Sequence, residues 1–383
     1  MLDLSKLKDN ILIFKMLLEI KNFLINMQYN KELKKIIKID SILDYNNFKD
    51  KIQKFITNEK IATYKGYCSD SLYYGYYNEL LKYSDFHIKS KTILFSNIEH
   101  GIRMDQCQWK YYKNSINYVA QGEYRKKDIQ SINKWKPVFS IGPYIHYANK
   151  FYSEEKENEI KKSLGKVLLI FPSHTNEWER DKATSKDFVD YIYEKYDKMF
   201  DTFLVCSYWK DVNDDVYKKF MEKGAKIVSA GFRGDVQFIK RLKTIISLSD
   251  AVVGDDIATN IGFCLYMNKP FALERNEPRY EDKNYQENFR KFKEAFTTED
   301  FNYTYEQRLK QEKLYNYFWG GENNIKSKQE IYMILEFTNE LLKKSHYSIN
   351  KLDENTKIAF NNMDTKTELY KLFKSSLGEI LHE

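Results

Sequence analysis

The chain has 383 residues, 42% hydrophobic and 31% charged, with only 14 Gly and 5 Pro. That composition supports two or three packed domains and excludes collagen-like, linker-like and disordered chains. The net charge of +7 comes from 62 basic and 55 acidic residues of interspersed sign. It falls short of the dense basic stripe of a nucleic-acid-binding protein, but suits a protein that meets anionic lipid or a phosphorylated substrate.

In chain order, residues 1–60 read as mostly helical. The apolar stretch 10–27 is broken at helical spacing by Lys15, Glu19, Lys21 and Asn22, unlike a secretory signal. No apolar run approaches the ~18–20 residues needed to span a bilayer. A cytoplasmic protein is expected, with peripheral contact at the inner face of an anionic membrane. Cys68, Cys107, Cys206 and Cys264 stand alone, which argues against a zinc site or a disulfide framework. A clear β run at 92–98 closes on Glu99-His100-Gly101, and shorter ones follow at 118–120 and 137–140. The stretch 142–148 reads as a crossover between domains, placing Gly142, Tyr144 and His146 at a cleft.

From residue 166 the pattern is regular. β runs at 166–171, 202–208, 226–229, 251–253 and 270–273 alternate with helical spacing at 187–200, 212–223, 236–248 and 257–267. Such alternation with short connections predicts a parallel sheet covered by helices on both faces. Right-handed crossovers put the strand-to-helix loops on one edge of the sheet. Loops 172–180, 207–211, 230–235 and 254–260 are therefore expected to converge on one crevice. Residues 283–345 read as helices, and from 349 the chain is an Asn- and Lys-rich helical tail. The expected class is α/β: two Rossmann-like domains, 1–145 and 146–285, facing a cleft. A helical segment, 286–383, packs back on them.

Several constellations could carry chemistry. From Gly254 through Asp255, Asp256, Thr259 and Asn260 to Gly262, a strand passes through small polar residues into a helix. Free N–H groups and partial positive charge at a helix N-terminus suit a diphosphate. Thr259 and Asn260 add donors, and Gly262 permits close approach. Asp255 and Asp256 repel phosphate, so helix capping or ribose hydroxyls suit them better. In Gly231-Phe232-Arg233-Gly234-Asp235, Phe232 is placed to stack on a base, Arg233 to meet phosphate, and Asp235 to cap the next helix. Ser173, His174 and Thr175, followed by Trp178 and Arg180, sit at a strand's carboxyl end as ligand contacts. Glu99 or His100 is placed to act as general base on an acceptor hydroxyl, with Gly101 leaving room. A plain capped helix, a structural His174 and a loop His100 remain the alternatives. Asp-x-Asp, P-loop, G-x-G-x-x-G and G-x-S-x-G signatures are absent.

Three runs resemble the two-Rossmann (GT-B) glycosyltransferases that build bacterial surface polysaccharides. They are Phe95-Ser96-Asn97-Ile98-Glu99-His100-Gly101, Phe171-Pro172-Ser173-His174-Thr175, and Ser249-Asp250-Ala251-Val252-Val253-Gly254-Asp255 with Gly262 and Asn268-Lys269-Pro270-Phe271. The resemblance implies a nucleotide-sugar donor in the C-terminal domain and a polysaccharide or lipid-linked acceptor on the N-terminal one. It also implies His100 or Glu99 as base, and Ser173, His174, Arg233, Thr259 and Asn260 on the donor. Neither cofactor nor metal is expected, and no nucleic acid. Asp255-Asp256 stand where the family often has Glu, a departure that bears on ribose recognition. The His-Gly pair is also similar to the CDP-glycerol glycerophosphotransferases of teichoic-acid synthesis. The expected function is metal-independent glycosyl transfer. The alternatives are CDP-polyol phosphotransfer on the same fold, or a non-catalytic binding subunit.

Overall fold

The computed structural model describes residues 11–58, 61–62, 69–87, 96–102, 104, 117–132, 137–174 and 184–344. Its first elements are two helices, α1 (Ile11–Ile37) and α2 (Tyr45–Thr57), the second capped by Asp44, which accepts from the Asn47 N–H. A kinked turn, Ser69–Gly75, leads into α3 (Tyr76–Tyr83). Then β1 (Ser96–Ile98), β2 (Asn117–Ala120), α4 (Glu123–Ile132) and β3 (Val138–Ser140) build a parallel sheet in the order β1-β2-β3. The early part of the run expected from residue 92 lies outside the described residues.

A short turn at Tyr144–Tyr147 precedes α5 (Glu154–Leu164). Ser153 caps α5, glutamates fill its first turn and lysines its last, and Gly165 (φ 69°) ends it. The second sheet follows. It comprises β4 (Val167–Phe171), α6 (Lys186–Tyr196), β5 (Thr202–Cys206), α7 (Asp215–Glu222), β6 (Lys226–Val228), α8 (Phe238–Leu248), β7 (Ala251–Gly254), α9 (Asn260–Tyr266) and β8 (Phe271–Leu273). All five strands are parallel, in the order β6-β5-β4-β7-β8. The chain thus steps outward from β4, returns to β7, and steps outward the other way. That reversal opens a crevice at the carboxyl ends of β4 and β7. β4 is apolar throughout because both its faces are covered. Val167 and Leu169 join the core that holds Ile245 and Leu248, while Leu168 and Ile170 join the one that holds Val189 and Ile192.

Two expected helices start late. α8 begins at Phe238, and Asp235 does not cap it; its carboxylate accepts from the Gln237 N–H and the buried Arg241 guanidinium. α9 begins at Asn260 rather than near 257. Phe232 is a correction as well. It is fully buried with its ring stacked on Phe55 at 4.2 Å, so it cannot stack on a base. The core around it is shared with α1 and α2, which sequence position groups with the first unit. Their Tyr29, Ile36, Phe48 and Ile52 pack with Trp209 and Val212, and the Tyr45 hydroxyl donates to the Val212 carbonyl at 3.0 Å.

Three helices close the described chain: α10 (Lys283–Phe296), α11 (Tyr305–Trp319) and α12 (Lys328–Lys344). α11 starts with a capping box, Thr304 with Gln307, and ends at left-handed Gly320 (φ 80°). It packs on α4 of the first unit and α9 of the second, while α12 packs on α3. The tail from 349 lies outside the described residues. No helix among the described residues is long and apolar enough to cross a membrane.

Candidate functional site

The carboxyl ends of both sheets open on one cavity of about 1220 Å³. That exceeds the roughly 300–1,000 Å³ usual for a single small ligand. Each loop expected to converge there does so through its described residues. Ser173 and His174 follow β4, Ser207 and Tyr208 follow β5, Arg233 follows β6, and Asp256, Thr259 and Asn260 follow β7. The first unit adds His100, Gly101 and Ile102 after β1, with Tyr73 and Tyr74 from the turn before α3.

His100 is exposed on this wall, edge-on to the Tyr73 ring at 5.8 Å between centroids. The Arg233 guanidinium lies 4.7 Å over the same Tyr73 ring and donates to the Ala62 carbonyl at 3.3 Å. Tyr73 therefore touches a histidine from the first unit and an arginine from the second. His174 stacks on Tyr208 at 4.2 Å. Burial raises the Tyr208 phenol's pKa, and the nearby Arg233 charge opposes the rise.

Asp255 and Asp256 have separate partners. Buried Asp255 accepts from Ser173 Oγ at 2.6 Å, from Thr184 Oγ1, and from Arg275 at 3.1 Å, tying the loop after β4 to the loop after β7. Asp256 faces the cavity, where the Tyr285 hydroxyl and the Arg279 guanidinium (3.2 Å) donate to it. Burial first, then Asp256, raises the Tyr285 pKa. Arg279 also donates to the His174 carbonyl at 2.8 Å. Both carboxylates are held by these partners before the chain turns helical, which explains why α9 starts only at Asn260. Thr259 precedes that helix, yet its Oγ1 accepts the Ile102 N–H at 2.9 Å, joining the loop that carries His100 to the second unit. Asn260 lines the cavity with a buried Oδ1.

Other expected site residues lie elsewhere. Glu99 is buried and does not line the cavity; it pairs with Arg125 at 3.0 Å and accepts from the Gln121 N–H at 3.4 Å. Burial pushes its carboxyl up to about 7, against the pull of Arg125. Of the two candidate bases, only His100 faces the cavity. Gly262 serves packing rather than ligand approach, because a Cβ there would strike the Trp319 indole. Gly231 (φ 108°) is a turn glycine whose Cβ would meet Arg241 Nη1 at 2.8 Å, behind the cavity. Tyr144 is buried and donates to the Val119 carbonyl at 2.8 Å. Gly142 (φ 79°) abuts Ile325 and Gly321, and His146 Nδ1 meets the Tyr266 hydroxyl at 2.7 Å. The crossover is thus junction core and not a cavity wall. Thr175, with Trp178 and Arg180, lies outside the described residues.

Tyr73, Tyr208, Arg279 and Tyr285 are cavity residues that sequence reasoning missed. The convergence rule applies equally to the loop after β8, and extending it there would have found Arg279. The tyrosines carry no local signal in a chain that has 31 of them. Cys206 also lines the cavity, but burial pushes its thiol up to about 12, so it is no thiolate nucleophile at neutral pH. Among the described residues no three His, Cys, Asp or Glu side chains gather as a metal-binding set.

No family model and no curated protein matches this chain. Among solved structures it is similar to the wall teichoic acid polymerase TagF. The identity is 14%, the match covers 66% of this chain and 69% of that one, and the TM-score is 0.42. A single-residue variant of that polymerase matches at 17% identity over 61% of each chain, with a TM-score of 0.38.

Proposed function

We propose that this chain is a transferase that passes an activated group from a nucleotide-linked donor to an acceptor hydroxyl, and that the group is a polyol phosphate. The observation that carries this reading is the charge of the wall around Tyr73. Among the described residues, the cavity lining contributed by 73–76, 100–104 and 230–238 includes His100 and Arg233 and no carboxylate. In phosphoryl transfer, negative charge builds on the oxygens of the transferred group, which cations stabilise. In glycosyl transfer, the sugar gains positive charge, which a neighbouring carboxylate would stabilise. His100 takes the acceptor proton. The acceptor oxygen forms a bond to phosphorus, the bond to the bridging oxygen breaks, and a nucleoside monophosphate leaves. Sugar transfer from a nucleotide-sugar remains the second reading. It is favoured by Asp256, Glu281 and Asp282 in the lining of the same cavity, which suit sugar hydroxyls.

The leaving nucleotide distinguishes the two. Incubation with a CDP-polyol and, separately, with nucleotide-sugars is expected to release a nucleoside monophosphate from the former alone. Release of a nucleoside diphosphate would establish sugar transfer. His100→Ala should retain the donor-induced thermal shift while turnover falls about 10²–10⁴-fold. Full turnover in that variant would remove His100 as base, and no shift with any nucleotide would favour a binding subunit.

A further inference from the structure

α1 is apolar on two opposite sides. Its second half packs inward through buried Tyr29 and Ile36. At about 3.6 residues per turn, Ile20, Phe23, Leu24 and Met27 fall on the side facing away from those two. They are 47%, 63%, 59% and 56% exposed. Single exposed apolar residues are ordinary, but four at i, i+3, i+4 and i+7 form one stripe, about 10 Å long, that no interior requires. The same side of the helix continues into exposed Lys31 and Lys34, with exposed Lys38 just past its end.

We propose that this outer face of α1 docks on an anionic lipid surface. The apolar stripe enters the interface, and the lysines lie among the headgroups. The helix rests in the plane of the interface rather than crossing it. The charge pattern disfavours a second copy of this chain as occupant. Two α1 helices aligned in the same direction would set lysine against lysine, and an opposed pair that matched stripe to stripe would leave the lysines beyond the contact without counter-charge. In the lysine half of α1 the acid is Glu32, which is buried and held by Lys35 at 2.8 Å, so it offers this face no counter-charge. Anionic headgroups supply one, and the acyl boundary takes the stripe. Binding is read without substrate, so the outcome is separate from that of the transfer reaction.

The test sediments the full chain with vesicles of phosphatidylcholine alone, or with about 30% phosphatidylglycerol added, at low and high salt. The protein is expected to pellet with the anionic vesicles only, and salt is expected to release it. The variant Phe23→Ser/Leu24→Ser/Met27→Ser should bind those vesicles about tenfold more weakly or worse, with an unchanged melting temperature. Lys31→Glu/Lys34→Glu should weaken binding in the same direction. Wild type left in the supernatant would overturn the proposal, as would serine-variant binding equal to wild type. A lowered melting temperature in the serine variant would mean that the chain's own fold covers the stripe. A wild-type dimer that the serine variant turns into a monomer would assign the stripe to a second copy. Preferential binding of polyglutamate over anionic vesicles would assign the face to an acidic protein. Each of these three results also overturns the proposal.

Discussion

Glu99 and His100 are adjacent in sequence, yet one is closed inside the first unit and the other stands on the cavity wall. The difference comes from pairing. The Glu99 N–H joins the Val119 carbonyl at 2.9 Å and its carboxylate meets Arg125, so the residue extends the edge of β1 inward while His100 turns outward. The buried carboxyl has a measurable consequence. Its ordinary value is 4.5, and burial raises it to about 7 in the folded chain. Between those values the folded state binds more protons than the unfolded one. The stabilisation is therefore fully present below 4.5 and is lost as pH rises to about 7. Glu99→Gln removes this titration. Urea unfolding at a series of pH values should show the stability of wild type, relative to the variant, falling across that window and levelling above it. A difference that stays constant with pH would show that Glu99 keeps its charge throughout.

At the scale of elements, Thr259 sits where a helix N-terminus would offer it to phosphate, but its hydroxyl accepts the Ile102 N–H from the first unit. Thr259→Val leaves that N–H without its acceptor, a loss of about 1 kcal/mol. It should also loosen the loop that carries His100. The expected result is a lower kcat with donor affinity retained, restored by Thr259→Ser. A weakened donor Kd with kcat unchanged would instead return Thr259 to the donor phosphates. The convergence of the four loops was legible in the sequence, because strand-helix alternation and crossover handedness leave few topologies. The start of α9 was not, since it depends on Arg275, Arg279 and Tyr285 reaching Asp255 and Asp256 from 20, 23 and 29 residues away in sequence. The packing of α1 and α2 on the second sheet was equally hidden. An apolar stripe signals burial without naming its partner, and α1 has apolar residues on both of its sides. Gly262 shows the same limit, because a small residue in a helix marks close approach, whether of a ligand or of an indole.

For the molecule as a whole, the question is what holds two sheets in one relation across a large cavity. The end of α11 lies against both units. A Cβ at Gly122, beside α4, would meet the Tyr317 carbonyl oxygen at 2.6 Å and the Gly320 nitrogen at 2.7 Å. On the other side Trp319 covers Gly262 of α9, and its indole N–H donates to the Thr259 carbonyl at 3.1 Å. Trp319 is completely buried. Replacing so large a buried side chain with alanine costs about 3–5 kcal/mol. Because this side chain sits at the junction, the loss falls on the coupling between the units as well as on each of them. Calorimetry should then find one unfolding transition in wild type and two in Trp319→Ala, the first lowered by roughly 5–10 °C. A nucleotide that binds the loops of the second sheet should raise only one of the two, since stabilisation by a ligand follows the unit that holds it. A single transition in the variant, at the wild-type temperature, would mean that the sheets are joined elsewhere, through α12 on α3 or the junction around Tyr144.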